Sequence, residues 1–194
     1  MGADPRPTPR RVAPTKRPPL IPNAVFGMII FVMAECMIFG GMVSAFNIVK
    51  SGAAAGTWPP PWQPRLPVET TAFNTFMLLS SGVALALATK LRSRRTLLLR
   101  SSFLLGAYFV LAQGFEWVQL ISAGLTMKTS QHGAFFFLIV GCHALHATGA
   151  LMGLGWITNR QRLGQLVDAQ LYAVQVFWFF VVGIWPALYW LVYL

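Results

Sequence analysis

Five long apolar runs constrain the fold of this chain more than any other feature of its sequence. They cover about residues 24–49, 70–88, 97–121, 132–157 and 170–194. About 20 residues at a rise of 1.5 Å each cross a hydrocarbon core of about 30 Å. Because lipid offers no partner for backbone polar groups, an open chain crosses it as a helix. The sequence therefore predicts an all-α membrane protein, with five transmembrane helices in a single domain at residues 24–194.

Charged residues are scarce and mostly basic. They make up 10% of the chain, hydrophobic residues make up 56%, and the formal net charge is +10. Soluble domains are about 25% charged, so this composition is typical of an integral membrane protein. Basic loops that stay in the cytoplasm and contact anionic lipid account for the positive excess, and we expect no nucleic-acid partner.

The basic residues also predict the orientation. Residues 1–23 are rich in Pro and Arg and lack the apolar core of a secretory signal peptide, so we predict a disordered basic cytoplasmic tail. One set of connections between helices holds Lys50, Arg65 and Lys128. The tail and the other connections hold Arg6, Arg10, Arg11, Lys16, Arg17, Lys90, Arg92, Arg94, Arg95, Arg100, Arg160 and Arg162. The positive-inside rule places this second side and the N-terminus in the cytoplasm, and the C-terminus in the periplasm.

The longest connection lies between helices 1 and 2. Its central stretch contains Trp58, Pro59, Pro60 and Trp62. Prolines stiffen an extended chain, and tryptophans favour the membrane interface. The stretch is predicted to be an interfacial loop, either a rigid connection or a loop that docks a partner or binds lipid.

Four ionisable side chains stand out in the predicted spans: Glu35, Glu116, His143 and His146. A carboxylate at the centre of a membrane helix costs at least about 2.5 kcal/mol, so Glu35 requires a partner or a proton. Glu35 and His146 each lie about 11 residues from the inner end of their helix. We therefore predict that they share one depth, and that Glu35 is neutral or hydrogen-bonded to helix 4.

Glu116 lies about 19 residues into helix 3, nearer the outer interface, and is too far out to meet Glu35. It shares a helix face with Gln113, and such a polar stripe is typical of hydrogen bonding between helices. His132, at the outer end of helix 4, is its expected neighbour.

No motif of a self-sufficient enzyme is present. The chain has no GxSxG elbow, no P-loop and no CxxCH haem attachment. Di-metal sites in helix bundles use Glu-x-x-His pairs, and no Glu precedes a helix 4 His by three positions. Cys36 and Cys142 lie in apolar runs and are predicted to be packing residues. We expect neither a catalytic residue nor a bound metal in this chain.

An ordered set of motifs resembles subunit III of the haem-copper terminal oxidases, which include cytochrome c oxidase. The family's first shared helix reads approximately GMxIFxxSExMxFxG, and residues 27–41 read GMIIFVMAECMIFGG. The later motifs are Trp-Pro-Pro at 58–60, Asn-Thr at 74–75, Ser-Ser-Gly at 80–82, Gln-x-x-Glu-Trp at 113–117 and Gly-x-His-x-x-His at 141–146. The resemblance covers about residues 25–194, and the helix count resembles the shorter bacterial form.

The chain departs from this family pattern at three places. Ala34 stands where Ser usually precedes the buried Glu, and Ala144 stands where Gly separates the two histidines. Residues 178–182 read WFFVV where the family has Trp-His-Phe-x-Asp. The missing His and Asp leave the polar contacts of the last helix unassigned and indicate a divergent branch.

The resemblance implies a non-catalytic subunit in the bacterial plasma membrane, beside a haem-copper subunit I and, through the complex, subunit II. It implies that haem and copper belong to the partner subunits, and that phospholipid binds in a cleft between helices 1–2 and the rest. Glu35, His143, His146 and Glu116 match buried polar positions that support a proton-pumping core in aerobic electron transport. The alternatives are a quinol oxidase subunit, an accessory protein of a nitric oxide reductase and, from a different class, a small proton-linked transporter.

Overall fold

Five long helices make up most of the computed structural model, which describes residues 21–54 and 56–194. The elements are α1 (Asn23–Gly52), α2 (Val68–Lys90), a 3-10 turn (Arg92–Arg94), α3 (Arg95–Ser122), α4 (Gln131–Arg162) and α5 (Asp168–Tyr193). Each long helix is long and apolar enough to cross a membrane, and the described residues contain no strand. The predicted all-α, five-helix membrane fold is therefore confirmed. Residues 1–20 of the predicted tail lie outside the described residues.

α5 is the central helix of the bundle. It packs against α1, α2 and α4, and α3 completes the bundle by packing against α2 and α4. α1 contacts α4 and α5 but does not contact α2. Helices 1 and 2 are therefore not a pair set apart from the other three. α1 and α2 thus stand apart in the described part of the chain, and the implied phospholipid cleft stays a prediction.

Contacts between connections define the two ends of the bundle. At one end, Asp168 at the start of α5 accepts hydrogen bonds from Arg92 (3.3 Å) and Arg95 (3.1 Å), which joins the α2–α3 and α4–α5 turns. We call this the basic end. At the other end, Gln63 of the α1–α2 connection hydrogen-bonds Ser130, the N-cap of α4. We call this the loop end.

Glycine permits the tight α3–α4 turn at the loop end. Gly124 has a φ of 93°, a left-handed conformation that other residues rarely adopt. The next amide, that of Leu125, donates to the Leu120 carbonyl at 2.9 Å, so the turn is a Schellman motif. Leu125 is buried against the core and holds the turn onto the bundle.

Two buried tryptophans attach α5 to α2. Trp178 Nε1 donates to Ser81 Oγ at 3.1 Å, and Trp185 Nε1 donates to Thr75 Oγ1 at 2.8 Å. Ser81 and Ser102 hydrogen-bond each other's carbonyl oxygens at 2.7 and 2.8 Å, which adds α3 to the same network. The two tryptophans therefore supply polar contacts between the last helix and α2.

Two residues of α5 differ from the family pattern, and their surroundings differ. Phe179, where the family has His, is 37% exposed. Val182, where the family has Asp, is buried against Gly82, and a Cβ at that glycine would lie 3.0 Å from it. The valine at this position fills a close contact between α5 and α2.

The ring of Trp178 packs directly against a glycine of α3. A substitution at that glycine tests this contact. A Cβ at Gly106 would lie 2.6 Å from the Trp178 ring. We expect Gly106→Ala to lower the free energy of unfolding by about 1–3 kcal/mol, because the indole cannot move without losing Ser81. Thermal unfolding in detergent, followed by circular dichroism, measures the change. Gly114→Ala on the same helix, where a Cβ meets nothing within 4 Å, is the control; equal losses for the two variants would contradict the packing argument.

Candidate functional site

Glu35 and His146 lie in direct contact across the α1–α4 interface. His146 Nε2 is 2.9 Å from Glu35 Oε2, and the two side chains are 13% and 12% exposed. The other ring nitrogen, Nδ1, lies 2.7 Å from the Cys142 carbonyl oxygen. The contact predicted from the matching depths of the two residues is therefore present in the structure.

The geometry fixes how many protons this pair shares. A carbonyl oxygen only accepts hydrogen bonds, so Nδ1 of His146 carries a proton that it donates to Cys142. The short contact between Nε2 and the carboxyl requires one further proton between Glu35 and His146. Whether that proton resides on the acid or on the imidazole, the pair has no net charge. Because the pair is neutral, it avoids most of the free energy that is needed to place an isolated carboxylate in hydrocarbon.

Aromatic rings from two helices enclose the pair. The centre of the His146 ring lies 5.5 Å from that of Phe39 and 6.2 Å from those of Phe177 and Phe180. Phe39 belongs to α1, and the other two belong to α5. The pair is therefore held where three helices meet, in apolar surroundings that strengthen its hydrogen bonds.

His143 lies about one turn before His146 on α4 and does not join this pair. Its ring stacks on Trp185 with centres 4.8 Å apart and is 1% exposed. Neither ring nitrogen has a hydrogen-bond partner among the described residues. The two histidines of the Gly-x-His-x-x-His motif therefore have different partners: His143 contacts α3 and α5, whereas His146 contacts α1 and α5.

Glu116 belongs to a second polar cluster, nearer the loop end. Asn74 Nδ2 donates to its Oε1 at 2.9 Å, and Gln113 Nε2 donates to its Oε2 at 2.9 Å. The Thr71 hydroxyl lies 2.9 Å from Oε2, and Gln113 also contacts the Tyr193 hydroxyl at 3.1 Å. The predicted polar stripe of Gln113 and Glu116 is present, and it joins α3 to α2 and α5.

His132 is not among the hydrogen-bond partners of Glu116 in the described part of the chain, and its place as a neighbour of Glu116 stays a prediction. His132 meets Trp58 of the α1–α2 connection edge-on, with ring centres 5.3 Å apart. Trp58 also packs against Phe46, at 5.7 Å between ring centres. Trp62, by contrast, is 75% exposed. Trp58 thus anchors the connection to the bundle while Trp62 faces outward.

Sequence reasoning missed the partners on α2. Thr71, Asn74 and Ser81 are all buried and lie on one face of that helix. Their spacing of three and seven residues in an apolar run is the signal that would have revealed a polar seam toward α3. The described residues hold no group of three or more His, Cys, Asp or Glu side chains that could bind a metal ion.

Comparison with known proteins identifies relatives along nearly the whole described chain. The profile of the family described as cytochrome c oxidase subunit III matches residues 20–194. Relatives named "Probable cytochrome c oxidase subunit 3" in Mycobacterium bovis and Mycobacterium tuberculosis are 32% identical over 185 residues, 89% of this chain and 88% of theirs. A relative named "Cytochrome c oxidase subunit 3" in Pongo abelii is 30% identical over 176 residues, 84% of this chain and 66% of its own.

The pairing of Glu35 with His146 predicts a measurable coupling. In a double-mutant cycle of Glu35→Ala, His146→Ala and the double variant, we expect a coupling free energy of about 1–2 kcal/mol, at the upper end for hydrogen bonds between membrane helices. Reversible unfolding in mixed micelles measures the three losses. A cycle of Cys36→Ala with His146→Ala is the control, because Cys36 is exposed. Additive losses for Glu35 and His146 would contradict a direct interaction.

Proposed function

This chain belongs to the cytochrome c oxidase subunit III family, and on that premise we propose that it is a non-catalytic subunit that stabilises the catalytic subunit I. The observation that carries the proposal is the family match over residues 20–194, which includes all five helices. The complex is a respiratory haem-copper oxidase that reduces dioxygen and pumps protons. Haem and copper reside in its other subunits.

The hydrogen bonds of the buried polar groups favour a structural role for this subunit. Glu35 and His146 satisfy each other, and Glu116 accepts from Asn74 and Gln113. Each cluster joins different helices, so both are suited to maintaining the shape of the bundle. A rigid bundle with an apolar exterior fits the proposed task of packing beside subunit I and holding phospholipid.

The charge distribution supports a position in the bacterial plasma membrane with the basic end in the cytoplasm. Arg92, Arg94, Arg95, Arg160 and Arg162 lie in the turns at that end. At the loop end the basic residues are Lys50, Arg65 and Lys128. The positive-inside rule then places the loop end in the periplasm.

Purification through a tag on this chain tests the proposal. In mild detergent we expect it to co-purify with subunits I and II, the visible absorbance of haem, and copper. Oxygen uptake by this material with reduced cytochrome c, compared with a quinol, identifies the electron donor. A colourless, monodisperse protein that retains no other subunit would overturn the proposal.

A supporting role also predicts how the complex fails. In the purified oxidase, Glu35→Ala should leave the initial rate of oxygen reduction nearly unchanged, because no reacting group is removed, and activity should then decline faster over successive turnovers. An oxygen electrode records both quantities. The neighbouring variant Cys36→Ala should behave like the unmodified complex. Immediate and complete loss of oxygen reduction in correctly assembled Glu35→Ala complex would identify Glu35 as part of the catalytic machinery.

A further inference from the structure

The outer face of α5 is open between α1 and α2. α5 is covered by α1, α2 and α4, and the first two do not contact each other. Exposed residues recur along α5 at the spacing of one helix face: Tyr172, Phe179, Gly183, Ala187 and Trp190. They form the floor of an apolar groove that α1 and α2 flank. We call this the α5 groove.

A pocket lies at the loop end of these three helices. Its volume is about 640 Å³, within the range of about 300–1,000 Å³ that is usual for sites of small ligands. Lys50 of α1, Val68 of α2 and Leu191 of α5 line it, and prolines of the α1–α2 connection cover it. Leu194, which is exposed and follows Trp190 by four residues on the same face, also lines the pocket, so the pocket lies at the loop end of the α5 groove.

The charge of the pocket favours an anion. Lys50 and Arg65 line it, although the loop end holds few basic residues. Neither cation forms an ion pair with a carboxylate side chain of the described residues. Of the nearby acids, Glu116 is occupied by its own hydrogen bonds and Glu69 is exposed and unpaired. Lys50 lies over the Phe46 ring, 5.8 Å from its centre, which holds the ammonium at the edge of the pocket.

Uncharged polar atoms around the pocket also lack partners. His132 lines the pocket, is 5% exposed and makes no hydrogen bond with another described residue. The side-chain oxygen of Gln63, a second lining residue, is buried and unpaired. Buried polar groups are nearly always hydrogen-bonded. Two such groups beside two free cations therefore point to a polar ligand.

We propose that this pocket holds the phosphate headgroup of an anionic phospholipid, and that an acyl chain of the same lipid lies in the α5 groove. Lys50 and Arg65 bind the phosphate, and Trp58 packs beside it at the membrane interface. The apolar stripe on α5 contacts the chain. This inference rests on the proposed function and deepens its lipid-binding part. It assigns the lipid to the opening between α1 and α2.

Native mass spectrometry of the full chain in detergent tests this assignment with defined lipids. We expect one dioleoylphosphatidylglycerol to bind more tightly than dioleoylphosphatidylcholine. Lys50→Gln combined with Arg65→Gln should weaken phosphatidylglycerol binding roughly tenfold, because two charge-assisted hydrogen bonds are lost. Lys128→Gln removes one positive charge at the same end but outside the pocket, and it should change binding less than twofold, whereas Lys50→Gln or Arg65→Gln alone should each weaken it more. Lys50→Arg combined with Arg65→Lys should retain binding.

A second variant separates the groove from the headgroup pocket. A Cβ at Gly183 would meet nothing within 4 Å, so Gly183→Leu fills the α5 groove without a clash inside the bundle. It should weaken phosphatidylglycerol binding severalfold while both cations remain. Inorganic phosphate in hundredfold excess should displace little lipid, since it has no chain to place in the groove.

Several results would overturn the assignment. Unchanged lipid binding in the Lys50→Gln, Arg65→Gln variant would do so, as would equal weakening by Lys128→Gln. Displacement by phosphate at lipid-like concentrations would identify a site for small anions. Unchanged lipid binding together with loss of co-purifying subunits would assign the pocket to an acidic segment of a partner. Lipid binding is measured by mass spectrometry of the isolated chain, whereas the proposed function is measured by haem and copper in the purified complex. Failure of the lipid assignment can therefore be distinguished from failure of the proposed function.

Discussion

Hydrocarbon provides no hydrogen-bond partner, and the arrangement of this bundle follows from that constraint. Most buried polar side chains of the described residues accordingly have a partner on another helix or on their own backbone, and His143 is an exception. Apolar contacts between helices differ little from contacts with lipid, so polar contacts and close packing determine which helices associate. The pair of Glu35 and His146 attaches α1 to α4, and the Glu116 cluster attaches α3 to α2. The indole of Trp178 attaches α5 to α2.

The central position of α5 connects these interactions. Its two buried tryptophans hydrogen-bond α2, and a glycine on α3 makes room for one of them. Because α1 is attached through α4 and α5 alone, it remains apart from α2. The opening between them is therefore a consequence of how the polar groups are paired, and it exposes one face of α5 along the bundle.

The two acids of the membrane region have different surroundings, and this difference bears on function. Glu35 shares a proton with His146, whereas Glu116 is held by the amides of Asn74 and Gln113. Both are occupied by partners within the bundle, which supports a role in shape and association. Two cations without an ion pair to a carboxylate side chain, Lys50 and Arg65, lie elsewhere, in the pocket at the loop end. The proposed support of the bundle and the proposed recognition of lipid thus involve separate residues of one small subunit.

Hydropathy by itself determined the number of helices, their approximate limits and the common depth of Glu35 and His146, because rise per residue is a local property. The ordered motifs likewise identified the family. Depth does not specify the angle at which a side chain leaves its helix, nor which helix faces it. Contacts between helices decided that Glu116 meets Asn74, and that helices 1 and 2 stand apart. Tertiary structure alone gathered Lys50, Arg65 and His132 around one pocket, because residues so distant in sequence meet only when the helices pack.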